Sequence, residues 1–435
     1  MTFDEALKYL LSLGHETLAI KLGLENTERL LEALGGPHEA FPSVQIAGTN
    51  GKGSTAVMLD AICRAANLNT GLYTSPHLVS ITERIRTRGQ QLSQEDFARA
   101  ATLVRATAEN LLTKGELAAL PTFFEHVTAI ALCAFKEARV ELAILETGLG
   151  GRLDATTAAR ANIVAITPIA LDHQEYLGDT LSQIASEKAA IIRAGVTAVI
   201  APQTQEAREV ILKRCKDCNV TPRFARDDIR VTGSTEDGRL RISFRTEHDS
   251  YQDVTLGLRG RHQMINASVA VALAEELREQ GCRLTREAIL EGLETAEHAG
   301  RLEMRAGRPP VLFDGAHNAA GARALRDYLD EFVHVPVALI FGAMRDKDLD
   351  EITAALFPAA HKIILTQPTN PRAATVETVA SYRPPDFDSE RILLAPTPAE
   401  ALVAAQNLTP PDGLICITGS LYLIGEMQSL MEAQE

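Results

Sequence analysis

The segment Gly48-Thr49-Asn50-Gly51-Lys52-Gly53-Ser54 follows the apolar run VQIAG and opens a helical pattern, and this order constrains the fold more than any other feature of the chain. Glycines let backbone N–H groups approach phosphate oxygens, while a helix N-terminus adds positive potential. In such a loop Lys52 would reach the β/γ-phosphates and Ser54 would approach a metal ion. The spacing is shorter than G-x-x-x-x-G-K-[ST], so the flanking strand and helix carry the reading. The alternative is an ordinary glycine turn.

Apolar runs of strand length alternate with helical segments: VQIAG (44–48), TGLYTS (70–75), ELAILET (141–147), NIVAIT (162–167) and TAVIAP (197–202). This alternation predicts a mostly parallel sheet with helices on both faces. Between 221 and 258, polar segments with period-two alternation, such as RLRISFR, predict a small antiparallel excursion. Helices follow from about Met264 to Glu279 and from about Thr285 to Glu294, and then HAGRLEMRAGRPP breaks the pattern. The expected fold class is therefore α/β, with domains at 1–295 and 296–435. In the second, smaller and Rossmann-like, PVLFDGAH, VALIFGAM, HKIILTQP and GLICITGS mark strands.

A chain of 435 residues with 46% hydrophobic content exceeds the usual size of a single core. Its 57 acidic against 43 basic residues give a net charge of -14, the wrong sign for bulk attraction to nucleic acid. No run approaches the roughly 20 apolar residues that span a bilayer, and the N-terminus lacks the character of a signal peptide. We expect a cytoplasmic protein with no nucleic-acid or membrane partner. Six cysteines lack framework spacing, so no disulfide is expected; Cys215 and Cys218 form a C-x-x-C without the second pair of a zinc site.

Ser75, Glu146, His173, Asp314 and Thr418 fall at or just beyond the C-terminal ends of predicted strands, the edge where open α/β sheets bind ligands. A carboxylate, an imidazole and a hydroxyl beside a triphosphate suit Mg²⁺. Singly, Ser75 reads as a turn residue, Glu146 as a cap and His173 as a loop histidine; their shared location favours a site. Lys188 shares a helix face with Ile184, Ala185, Ile191 and Ile192. Either it is buried, with a lowered pKa, or it snorkels to water.

Taken in order, GTNGKGS, YTSPHL, TFFEH, LETGLGGRLDAT, ALDHQEYLGDTLSQIASEKAAII, GRLE, DGAHN, DKD and TGSLYLIGE resemble the signature set of the folylpolyglutamate and dihydrofolate synthases, within the Mur ligases. The resemblance runs from about 15 to 427. It implies ATP on the glycine loop (Thr49 to Ser54), with Asn266, Arg301 and Asp314 as further ATP contacts and His317 close by. It implies Mg²⁺ on Ser75, Glu146 and His173, and a carbamylated Lys188 as ligand to a second Mg²⁺. Thr122, Phe123, Phe124 and Glu125, with Leu153, Asp154 and Ala155, match positions that contact the pteridine.

The implied reaction joins L-glutamate to dihydropteroate or reduced folates through an acyl phosphate, in a monomer, with Lys52, Lys188 and His317 as catalytic residues. Thr157, Ala190 and Arg193 depart from the family pattern at tolerable positions, whereas Lys21 replaces an expected acidic residue near the dihydropteroate contact. A cell-wall Mur ligase would carry Lys-Thr where this loop has Lys52-Gly53. It would also need an extra N-terminal domain, for which the about 40 residues ahead of the loop are too few. A nucleotide-binding switch module would need neither DGAHN nor a pterin pocket.

Overall fold

The computed structural model describes residues 1–14 and 23–433; the expectation about Lys21 lies outside them. Strands are numbered in chain order. The first sheet comprises β1 (Ser43–Ala47), β2 (Thr70–Tyr73), β3 (Ile85–Thr87), β4 (Gln90–Gln91), β5 (Leu142–Glu146), β6 (Ile163–Ile166), β7 (Thr197–Ile200) and β8 (Arg223–Phe224). Their spatial order is β4-β3-β2-β5-β1-β6-β7-β8, parallel from β2 to β8. Every residue of β1, β5 and β6 is buried, as expected of strands covered on both faces.

A separate antiparallel sheet holds β9 (Arg230–Ser234), β10 (Leu240–Arg245) and β11 (Ser250–Thr255). The predicted excursion is therefore real, but β8 belongs to the main sheet, where two residues of parallel pairing are too short to leave a periodic signal. The C-terminal sheet orders β12 (Glu303–Arg305), β13 (Val311–Asp314), β14 (Val337–Phe341), β15 (Lys362–Leu365), β16 (Ile392–Leu394) and β17 (Leu414–Thr418) as β12-β13-β17-β14-β15-β16. All its pairings are parallel except β12 with β13. The short edge strands β12 and β16 were not anticipated from the sequence.

The Lys52–Ala65 helix lies beneath the glycine loop and packs against the Arg286–Thr295 helix. Ile62 and Leu293 meet in the same apolar cluster, each fully buried. Burying such side chains contributes about 1.5–3 kcal/mol apiece, so this helix pair fixes the loop to a rigid base.

Candidate functional site

At the C-terminal edge of β1 the backbone turns sharply. Gly48 has φ +151°, and a Cβ there would come within 1.9 Å of Thr167 Oγ1. Gly51 has φ +88°, and a Cβ there would strike Asn266 Oδ1 at 2.1 Å. Both glycines are thus required by close approach as well as by backbone conformation. Thr49 and Asn50 donate their N–H groups to the Pro168 carbonyl, so they brace the loop. The N–H groups of Lys52, Gly53 and Ser54 open the helix, where intrahelical partners are lacking and an anion is favoured.

A cavity of about 1040 Å³ opens above this loop, lined from the sides of the first and the C-terminal sheets. Thr49 to Ser54, Ser75, Glu146, His173, Lys188, Asn266, Arg301, Asp314 and His317 all border it, as do Thr122, Phe124, Glu125, Leu153, Asp154 and Ala155. Glu146 ends β5 and Asp314 ends β13, as the edge argument predicted. His173 stands well beyond β6 and reaches the cavity at the start of a short helix, with φ +52°.

Two of the predicted site residues lie elsewhere. Phe123 is turned into the apolar core, 5% exposed, with the Arg84 guanidinium 5.5 Å over its ring. Thr418 is fully buried at the end of β17 and does not border the cavity. The helix that starts at Phe123 turns that ring into the core while Phe124 and Glu125 face the cavity, and the end of β17 buries Thr418 beneath its neighbours.

TFFE is also a capping box. Thr122 Oγ1 accepts from the Glu125 N–H, and the Glu125 carboxylate accepts from the Thr122 N–H at 2.6 Å and from Thr27 Oγ1 at 2.8 Å. Asp154 likewise accepts from the N–H groups of Gly148 (2.8 Å), Leu149 (2.9 Å) and Thr156 (3.0 Å). These two carboxylates shape the loops around the cavity. Phe124 provides its apolar wall, lying so close to Gly148 that a Cβ there would approach the ring to 2.5 Å. Gln45, buried in β1, donates to Thr156 and Thr157 Oγ1 at 2.9 and 2.8 Å, so the departure at Thr157 is accommodated by a hydrogen bond.

Lys188 is 4% exposed, which decides between the two sequence readings in favour of burial. Its ammonium donates to the Gly48 carbonyl at 2.8 Å. Burial, with Lys52 nearby, lowers its pKa to about 7. His173 is depressed to about 3 chiefly by burial, which prevails over the opposing Asp172 carboxylate, while Lys347 and Lys188 add to the depression. A neutral imidazole keeps the lone pair that a metal needs. Burial raises the Glu146 carboxyl, although Lys52 and the Ser75 N–H, 3.1 Å away, oppose it.

Among the described residues no three His, Cys, Asp or Glu side chains converge as a metal cage. Ser75, Glu146 and His173, which all border the cavity, instead offer a hydroxyl, a carboxylate and an imidazole, a set that suits Mg²⁺, which takes few protein ligands and shares itself with phosphate and water. The C-terminal side adds Arg301, which lies against Gly315, and Asp314, whose carboxylate accepts from the Leu302 and Ala316 N–H groups at 2.9 and 3.0 Å. Asp172, Asn318, Lys347 and Arg372 also border the cavity and were assigned no role from sequence, although the first three lie inside quoted motifs.

Comparison with known proteins agrees with this arrangement. Residues 46–274 match the Mur ligase middle domain, and residues 300–421 match the Mur ligase glutamate ligase domain. A relative from Halobacterium salinarum, "Probable bifunctional folylpolyglutamate synthase/dihydropteroate synthase", is 35% identical over 432 residues. That match covers 99% of this chain but 52% of the relative, so the chain spans about half the relative's length. The structure of Mycobacterium tuberculosis folylpolyglutamate synthase complexed with ADP superposes with a TM-score of 0.92 at 32% identity, covering 98% of both chains. A bifunctional folylpolyglutamate synthase/dihydrofolate synthase with Mn, AMPPNP and L-glutamate bound gives 0.85 at 28% identity, covering 99% of this chain and 98% of the other.

Proposed function

The chain belongs to the Mur ligase family, and from that membership we propose that it is an ATP-dependent ligase joining L-glutamate to dihydropteroate, to reduced folates, or to both. The observation that carries the reading is the single cavity in which the glycine loop, Glu146 and the aromatic wall of Phe124 face Arg301 and Asp314. Residues 1–295 would hold ATP and the pterin, and residues 296–435 would complete the glutamate-ligase half.

In this reading the substrate carboxylate attacks the γ-phosphorus, leaving ADP and an acyl phosphate. The glutamate amine then displaces phosphate through a tetrahedral intermediate. Lys52 and the first-turn N–H groups of its helix hold phosphate charge, while Asn266, Arg301 and Asp314 position the nucleotide. Thr122, Phe124, Glu125, Leu153, Asp154 and Ala155 form the pterin wall. Ser75, Glu146 and His173 would hold Mg²⁺, which neutralises phosphate charge when bound. His317, whose Nδ1–H donates to the Gly315 carbonyl at 2.7 Å, borders the same space. Six free thiols suit a reducing cytoplasm, and a cavity completed by the chain's own two sheets suits a monomer. No helix among the described residues is long and apolar enough to cross a membrane.

Purified protein with Mg-ATP and L-glutamate is expected to release phosphate and yield a glutamylated pterin by mass spectrometry. Product from both dihydropteroate and tetrahydrofolate means two activities; product from tetrahydrofolate alone means one and implicates Lys21. No adduct from either sinks the reading.

Carbamylation of Lys188 is part of the proposal. The neutral amine attacks CO2 and loses a proton, giving an anionic ligand where an ammonium now points at Gly48. Because the folded pKa of about 7 lies below the ordinary 10.5, the amine deprotonates as pH rises through 7, while the unfolded chain stays protonated to about 10.5. Its contribution to stability therefore rises with pH across that window, and the penalty for the buried charge is complete below it. Bicarbonate should restore activity to acid-treated, CO2-depleted enzyme at pH 8 and much less at pH 6. Equal recovery at both values would remove Lys188 from this role.

A further inference from the structure

Asp172 joins the two sides of the cavity. Its Oδ1 accepts from Lys347 Nζ at 2.7 Å and from the His173 N–H at 2.9 Å. Its Oδ2 accepts from Asn318 Nδ2 at 3.1 Å and lies 3.6 Å from His317 Nε2. Lys347, Asn318 and His317 all come from the C-terminal half. Asn318 in turn donates to Asn50 Oδ1 of the glycine loop at 3.1 Å, while its own Oδ1 caps the Ala319–Phe332 helix by accepting from the Gly321 N–H at 2.8 Å.

Burial separates this ion pair from the exposed one that also bridges the halves. The Asp172 and Lys347 side chains are 7% and 9% exposed. Arg261 and Glu331, which also cross between the halves, are 50% and 32% exposed, and an ion pair so open to water holds little. A buried pair, by contrast, is costly to break from one side, because the remaining charge is left desolvated.

We propose that Asp172 is a positioning residue that holds the cavity closed, its bond to Lys347 tying closure to the loop that carries His173. The inference rests on the ligase reading and deepens it. In the closed state the glutamate nitrogen attacks the acyl carbon, the bond from that carbon to the phosphate oxygen breaks, phosphate leaves and the amine sheds a proton. Once the halves separate, water attacks the acyl phosphate instead, and carboxylate and phosphate are released with no amide formed.

The test measures amide product per phosphate released at saturating Mg-ATP, L-glutamate and tetrahydrofolate, together with the radius of gyration by solution X-ray scattering. Asp172→Asn and Lys347→Met should each lower the ratio by about tenfold or more, and each should enlarge the radius. The double variant should be no worse than the worse single, because both changes break one contact. Lys347→Arg, which keeps the charge, should recover the ratio. A wild-type ratio in Lys347→Met overturns the proposal, as does a loss confined to Asp172→Asn with a raised Mg²⁺ requirement, which would assign the effect to His173. If wild-type protein makes no adduct, the ligase reading fails and the latch is decided by scattering alone: an unchanged radius in both variants overturns it.

Discussion

Lys52→Ala should keep the fold and lose ligation, with turnover reduced by about 10²–10³-fold or more, the scale seen when one donor to developing charge is removed. The Lys52 ammonium rests on the Gly48 and Thr49 carbonyls at 3.1 Å each. Its side chain is only partly buried and borders the cavity. Lys188 also donates to the Gly48 carbonyl, so that oxygen keeps a partner when Lys52 is truncated. Alanine has high helix propensity and suits the first position of the Lys52–Ala65 helix. The melting temperature should therefore change little while phosphate release and glutamate adduct both collapse. Turnover at the wild-type rate would refute the role given to Lys52.

Gly292→Ala should do the opposite and damage the fold first. A Cβ at Gly292 would stand 2.3 Å from the Ile62 Cα and 2.4 Å from the Ile62 backbone nitrogen. Those atoms belong to the interior of the Lys52–Ala65 helix and cannot swing aside as a side chain would. Alanine's better helix propensity, about 1 kcal/mol, acts in the other direction. Overpacking against backbone outweighs it, so we expect a net loss of about 3 kcal/mol or more, read as a lower midpoint in urea with little change in slope. Activity in the surviving folded fraction should fall less than in Lys52→Ala. An unchanged urea midpoint would mean that the two helices can separate without cost.

The comparison of sequence with structure turns on how far each signal reaches along the chain. Capping boxes such as Thr180 with Gln183, which starts the helix carrying Lys188, are read within four residues. The T-x-x-E box of Thr122 and Glu125 is equally local, and the same two residues also border the cavity. The choice between Phe123 and Phe124 was beyond a local reading. Both are apolar and adjacent, and only packing against Arg84 on one side and Gly148 on the other decides which ring enters the core.

What the sequence determined by itself is the α/β alternation, the glycine loop at the end of β1 and a set of polar residues that the fold brings to one cavity. Those depend on hydrophobic period, on glycines where the backbone needs them and on motif order, all properties of short segments. Tertiary structure alone decided that Lys188 is buried, that Phe123 enters the core while Phe124 borders the cavity, and that Asp172 meets Lys347 across 175 positions of chain. The physical reason is that desolvation and ion pairing depend on which surfaces the two sheets bring together, and no local pattern records the partner a charge will find after the chain has closed on itself.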